Sequence, residues 1–275
     1  MIREPAVAGQ FYPADPAVLR AEVERLLRPA VQGEAAAARD RAETLALVVP
    51  HAGYIYSGRI AGAVYAASRL RRDLVILCPN HTGQGRPVAL MNRGAWRTPL
   101  GSVAIDEDLA DRVLRCCPYA EIDDRAHRRE HSLEVQIPFL QSKLGSFSFV
   151  PICVASLDLP DLLQLGSGLS RALSEPSVSA SIIISSDMSH YIPADEARRK
   201  DGLAINEILR LDSAGLDRVV REHGISMCGI APAVVGLAAA KAAGARWAQL
   251  IAYGHSGDVT GDHASVVGYA GLTIS

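Results

Sequence analysis

Apolar and polar positions along this chain form two kinds of stretch. One is the short apolar run bounded by polar or turn residues: LALVVP (45–50), LVILCP (74–79), FSFVPICVA (147–155) and ASIIISS (180–186). Runs of this length, rich in Val and Ile, predict buried strands. The other kind has apolar positions three and four residues apart and predicts helices. These fall at 15–28 (Asp15 as cap, Pro16 first in the helix), 57–72 (Ser57 as cap), 106–117, 132–144 (Ser132 as cap, Pro138 as a kink), 194–210 and 213–224. GIAPAVVGLAAAKAAGA (229–245) is apolar all round and predicts a buried helix. RPVALMNRGAWRTPLGSVAI (86–105) breaks at 92–94 and 99–101, as a hairpin or meander would. WAQLIAYG (247–254) and SVVGYAGLTI (265–274) predict two late strands joined by a polar loop. PAVQGEAAAARDRAE (29–43) carries the least pattern and reads as a surface loop. The strand–helix–strand order places the chain in the α/β class. One domain over 1–275 is expected, with a central mixed, largely parallel sheet flanked by helices.

Composition narrows this picture. The 275 residues are 49% hydrophobic and 21% charged, enough for a large core in a globular protein. A formal net charge of −2 supplies no field for nucleic acid or an anionic membrane. The basic clusters RLRRD and AHRRE read as solvated helix ends. Five cysteines, odd in number and irregular in spacing, argue against a disulfide framework and for a reducing cytoplasm. The start, MIREPAVAGQFYPADP, has no apolar signal-peptide region, and no stretch has the length and apolarity to span a bilayer.

The candidate chemistry lies where three of the apolar runs stop. LALVVP closes on His51, LVILCP on His81, and SIIISS on Asp187 and His190. Residues just beyond the carboxyl ends of parallel strands gather along one crevice, the usual ligand site of open α/β sheets. If the three runs are parallel neighbours, His51, His81, Asp187 and His190 converge there. Imidazoles and carboxylates suit iron, zinc or copper. Alternatively, each histidine is an ordinary turn residue.

Five segments, VPHAGYIYSG, CPNHTG, EHSLEVQIPFL, SSDMSHY and SMCGIAPAV, together resemble the Memo family and occur in family order. REPAVAGQFYP and YGHSGDVTGDHASVVGYAGL extend the resemblance to prokaryotic members and over nearly the whole chain. The family is similar in fold to class III extradiol dioxygenases, which use non-haem iron. The resemblance therefore implies metal ligands at His51, His81 and Cys228. It implies further pocket roles for Asp187 and His190, with His190 in the place of an acid/base histidine. The dioxygenases have a glutamate where this chain has Cys228, and a soft thiolate favours cuprous copper or zinc while also accepting iron. Ferrous iron is the first expectation and copper the second.

Two functions follow from the resemblance. One is a redox metalloenzyme acting on a small substrate with oxygen, with His190 moving protons and Asp187 orienting it or shaping the local charge. The other is a module that handles metal, or binds a peptide or protein, without turnover. Prokaryotic relatives belong to the AmmeMemoRadiSam system, which implies a radical-SAM protein and a small companion protein as partners.

Glu130, His131 and Glu134 either line the cleft or only mark a helix start. Cys228 is otherwise a small buried hydrophobe. Cys78 and Cys153 read as core, and Cys116 and Cys117 as a helix end. His127 and His223 read as solvated. Asp258, Asp262, His255 and His263 read as surface polarity in a loop that closes over the pocket, and Tyr54 and Tyr56 either bond a substrate or pack.

Overall fold

The computed structural model describes residues 1–28, 43–155, 157–175 and 179–275. The expected loop at 29–43 lies, apart from its last residue, outside the described residues. In chain order the first half comprises β1 (Ile2–Arg3), α1 (Pro16–Leu26), β2 (Ala46–Val49), α2 (Tyr54–Ala67), β3 (Asp73–Pro79), β4 (Val88–Leu90), β5 (Ala95–Thr98), β6 (Gly101–Ile105), α3 (Glu107–Cys116), β7 (Glu121–Ile122) and α4 (Ile137–Leu144). The second half comprises β8 (Ser148–Val154), α5 (Leu159–Leu173), β9 (Ala180–Ser185), β10 (His190–Ile192), α6 (Ala194–Leu209), α7 (Ser213–Glu222), α8 (Ile230–Ala242), β11 (Ala248–His255), α9 (Gly257–Thr260) and β12 (Val266–Ile274).

One mixed sheet runs β1-β5-β6-β8-β3-β9-β2-β12-β10, with β11 beside β12 and β4 against β7 and β8. Its centre, β6-β8-β3-β9-β2, is parallel throughout. The strands alternate between two covered faces, so both parities are apolar, as a parallel sheet requires. Ala46, Val48, Val75, Leu77, Ile182 and Ile184 pack with residues of α3, α5, α6, α7 and α8. Leu47, Val49, Leu74, Ile76 and Ile183 pack with α1, α2 and α4. Among the described residues no helix is long and apolar enough to cross a membrane.

Several local expectations shift. Asp15 caps α1 through the amides of Ala17 and Val18, as read from the sequence. Helix α2 starts three residues earlier than Ser57, because Gly53 takes the cap position and the Tyr54 amide bonds the Phe11 carbonyl. Ser57 instead donates from within the helix to the Ala52 carbonyl. The 132–144 stretch opens as a 3-10 turn, Glu134–Gln136, before α4. Pro138 falls in the first turn of α4, where its missing N–H breaks no helical bond, so it starts the helix rather than kinking it. The Ser132 hydroxyl donates to Glu130 and caps nothing.

β5 and β6 form the expected hairpin, while β4 pairs elsewhere. Helix α5 carried no sequence expectation. Two of its residues are glycines, which oppose helix formation in isolation. Packing reverses that cost: a Cβ on Gly166 would lie 2.8 Å from the Val235 carbonyl of α8, so only glycine permits this close crossing.

His127 corrects another expectation. It is fully buried, with Nε2 3.1 Å from the Ala89 carbonyl and its ring edge-on to Trp96. Burial pushes its pKa down to about 4. An unfolded histidine titrates near 6.5. Between these values the unfolded chain holds more protons, so stability falls as pH falls through that window. The loss from pH 7 to pH 4 is on the order of 3 kcal/mol from this one group. Urea denaturation of metal-free protein against pH should show that slope, and His127→Phe should flatten it.

Candidate metal centre

The parallel register brings the candidate residues together. Val49 of β2 is level with Ser185 of β9, and Leu77 of β3 with Ile184. His51, Asp187 and His81 follow these strand ends within a few residues, so the crevice expected from the sequence exists. The fourth piece arrives from the far end of the chain, on the segment leading into α8. Gly229 lies hard against the end of β9: a Cβ there would fall 2.4 Å from Ser186 Cβ and 2.6 Å from the Ser185 carbonyl. This close approach brings Cys228 Sγ within 3.2 Å of His51 Nε2. One ligand atom each from His51, His81 and Cys228 lies within 4.8 Å of the others.

Hydrogen bonds settle the tautomers of both imidazoles. The Ser185 hydroxyl donates to the Ser132 carbonyl (2.6 Å) and accepts from the Gln136 side-chain amide (2.9 Å). Its proton is committed, so at 3.0 Å it accepts from His51 Nδ1–H. That leaves the lone pair of His51 on Nε2, facing the sulfur. His81 Nδ1 lies 2.9 Å from Glu130 Oε1, which also accepts from the Ser132 amide and hydroxyl, while Glu130 Oε2 accepts from the His81 amide. His81 therefore also offers Nε2. Burial, then the neighbouring His131, His81 and His190, pushes His51 well below the usual histidine pKa and keeps it neutral. For His81, burial pulls down, but the hydrogen bond and charge of Glu130 prevail and the pKa rises. Burial alone would raise Glu130; its bonds to His81 and Ser132 outweigh that and hold it at about 2.

Cys228 sits before α8, as the sequence suggested, yet its thiol is not activated by the helix terminus. Burial, reinforced by the charge of Asp187, pushes its pKa up. Asp187 does not face His190. It accepts from the His51 amide at 2.7 Å, lies 4.0 Å from His51 Nε2, and its own amide donates to the Cys228 sulfur at 3.3 Å. Burial raises its pKa to about 7. His190 takes its orientation from Ser226, two residues before Cys228: its amide donates to the Ser226 hydroxyl, and Nδ1 lies 2.9 Å from the Ser226 carbonyl.

The weaker candidates divide. His131 belongs to the cleft, with its ring centroid 4.8 Å from His81 and 5.5 Å from His51, and Phe11 covers its outer side at 4.7 Å. Glu130, His131 and His81 form a second group with clustered ligand atoms. Glu134 stands apart. Fully buried, it binds Arg3, the amides of Ala6 and Val7, and the Tyr12 hydroxyl, tying the N-terminal segment down. Tyr54 donates to the Val135 carbonyl and packs. His255 is buried rather than superficial, its amide bonded to Asp258. Ser185, Gln136 and Ser226 were not anticipated; the one sequence signal was the polar Ser185-Ser186 pair ending an apolar run.

Fold and cleft thus define an α/β sandwich with a nitrogen- and sulfur-lined crevice at the carboxyl ends of its central strands. A family model described as Memo-like protein matches residues 3–273. A MEMO1 family protein of Methanopyrus kandleri is 45% identical over 280 residues, spanning 100% of this chain and 99% of the relative. One from Aquifex aeolicus is 43% identical over 272 residues and 98% of each chain, and one from Methanothermobacter thermautotrophicus 40% identical over 277 residues, 99% of this chain and 100% of its own. The chain belongs to the Memo family.

Removing the Glu130 carboxylate would strand four donors in a buried region. Glu130→Ala should therefore cost about 3 kcal/mol or more in urea denaturation at pH 7, with Glu130→Gln in between.

Proposed function

We propose that this protein holds one transition-metal ion on His51, His81 and Cys228, ferrous iron in the first place and copper in the second, and acts as a redox metalloprotein on a small substrate with oxygen. The observation that carries this reading is the pair of locked tautomers. Two imidazoles have Nδ1–H fixed by a hydrogen-bond acceptor; His51 Nε2 lies 3.2 Å from the Cys228 sulfur, and a ligand atom of His81 is clustered with both within 4.8 Å. A carboxylate or hydroxyl behind the ring is the usual outer support of a ligating histidine. A buried thiol with a raised pKa has little use as a nucleophile, whereas a cation would draw its proton off. A bound ferrous ion would supply redox chemistry and open positions for oxygen and substrate.

The chain's own groups supply the rest. The Asp187 amide donates to the Cys228 sulfur and steadies it. The Ser226 carbonyl can only accept, so His190 carries its proton on Nδ1 and offers a basic Nε2 that can take a proton from a substrate. Asp187 shapes the charge beside His51. Glu130 favours donation from His81 by accepting its Nδ1–H. The sulfur donor favours a second reading, the handling of cuprous copper without turnover, because a thiolate is softer than the glutamate of the dioxygenases.

Anaerobic purification followed by metal analysis should find about one iron or copper per chain, and His51→Ala, His81→Ala and Cys228→Ser should each empty the site. His190→Gln should keep its metal and lose substrate-dependent oxygen uptake. Loss of metal in that variant would make His190 a ligand. Uptake equal to the parent's would take the proton-moving role away from His190, and absence of uptake in the metal-loaded parent would leave metal handling as the function.

A further inference from the structure

Helix α6 places a carboxylate where an apolar residue is the rule. Its buried positions are Ala197, Asp201, Ala204, Ile205, Glu207 and Ile208, and Asp201 stands within that stripe, fully enclosed. Enclosing a carboxylate is costly unless its oxygens are hydrogen-bonded. Here both are: Oδ1 accepts the Ser189 amide at 2.9 Å, and Oδ2 accepts the Tyr253 hydroxyl at 2.8 Å. Gly268 of β12 packs on the same carboxylate, and a Cβ there would collide with Oδ2. Asp201 therefore joins α6 to β11, β12 and the residue before His190. Burial raises its pKa, and the bonds from Ser189 and Tyr253 and the charge of His190 offset only part of that rise.

The segment it grips carries much of the cleft's chemistry. The five amides of 186–190 each reach a different acceptor. In order these are the Val49 carbonyl, the Cys228 sulfur, the Gly268 carbonyl, the Asp201 carboxylate and the Ser226 hydroxyl. Asp201 is the one carboxylate among them. Directly after His190 the chain turns sharply. Tyr191 has a φ of 58°, where bulky residues are rare, and the pairing of β10 with β12 shifts register there. A backbone so placed persists only where its surroundings hold it. The Ser226 carbonyl fixes the ring of His190, and Asp201 fixes the residue before it. The sequence offered Asp187 for the duty of orienting His190, but Asp187 turns to His51.

We infer that Asp201 is a positioning residue for His190: its carboxylate pins the Ser189 amide and so sets the direction in which the His190 ring meets the cleft. This rests on the reading of His190 as the proton-moving group given above.

The tautomer of the His190 ring tests the inference without turnover. Two-dimensional 1H–15N NMR would read it in metal-free protein, at a pH where imidazoles are neutral. The parent should hold the proton on Nδ1, bonded to the Ser226 carbonyl. Asp201→Ala should lower the ratio of Nδ1–H to Nε2–H forms about tenfold or more, the loss of a hydrogen bond to a charged acceptor. Asp201→Asn keeps an oxygen for the Ser189 amide and should hold the parent ratio within about twofold. The His127 ring, set against Ala89 and Trp96, should not change in either variant. An unchanged His190 ratio in Asp201→Ala would overturn the inference, and so would an equal shift at His127, which would mean general loosening. Hydrogen exchange of the parent is a second measurement, independent of how that variant folds. The Ser189 amide should be protected about as well as the Met188 amide, which bonds the Gly268 carbonyl; exchange at the rate of an open amide would overturn the inference. None of these measurements depends on metal or oxygen, so they decide the role of Asp201 even if His190→Gln keeps its oxygen uptake and the proton-moving reading fails.

Discussion

Parallel pairing of β2, β9 and β3 is the constraint on which the rest of the site depends. Val49, Ser185 and Cys78 lie at one level across three strands, given the Leu77–Ile184 pairing beside the last. Polar residues that follow at short distances have nowhere to go but the same crevice. The strands themselves are held by burial on both faces, so the level cannot slip by one residue without turning the whole apolar set of a strand onto the wrong helix layer. Precision at the crevice is therefore inherited from the core.

Around that level the polar groups brace one another. Ser185 connects His51, Gln136 and the Ser132 carbonyl, and Glu130 connects His81 with Ser132. The segment before the 3-10 turn thus supports two histidines from two different strands. Asp187 does the same from the segment after β9, receiving the His51 amide while its own amide supports the Cys228 sulfur. Buried networks of this kind are costly when incomplete, and here nearly every donor near the rings of His51 and His81 has its acceptor. Rigid imidazoles with fixed tautomers follow from that completeness, while the low basicity of His51 comes from its burial and the histidines around it.

The N-terminal segment is part of the same construction. Glu134 collects Arg3, two amides and Tyr12, and the chain anchored there brings Phe11 over the ring of His131. The Phe11 carbonyl in turn accepts the Tyr54 amide at the start of α2. A carboxylate remote from His51, His81 and Cys228 thereby sets one wall of the cleft.

Much of this was legible in the chain. Apolar runs of strand length, spaced by helical patterns, specify a two-layered parallel sheet, because burial on both faces leaves no other home for ASIIISS or LVILCP. Histidines directly after such runs must lie at the strand ends. Sequence alone did not decide which groups hold which ring. Asp187 turns to His51 rather than His190, Glu130 serves the cleft while Glu134 serves the N-terminus, and His127 is buried against Ala89 and Trp96. Each of these choices is made between residues far apart in the chain, and two carboxylates four positions apart look alike until packing assigns their partners. Helix α5 shows the same limit in the backbone, since the glycines that weaken its local pattern are ones its packing requires, Gly166 against α8 and Gly168 against the end of α3. Local pattern follows from the periodicity of burial along one segment, whereas partner choice follows from distances between segments, and only the folded chain has those.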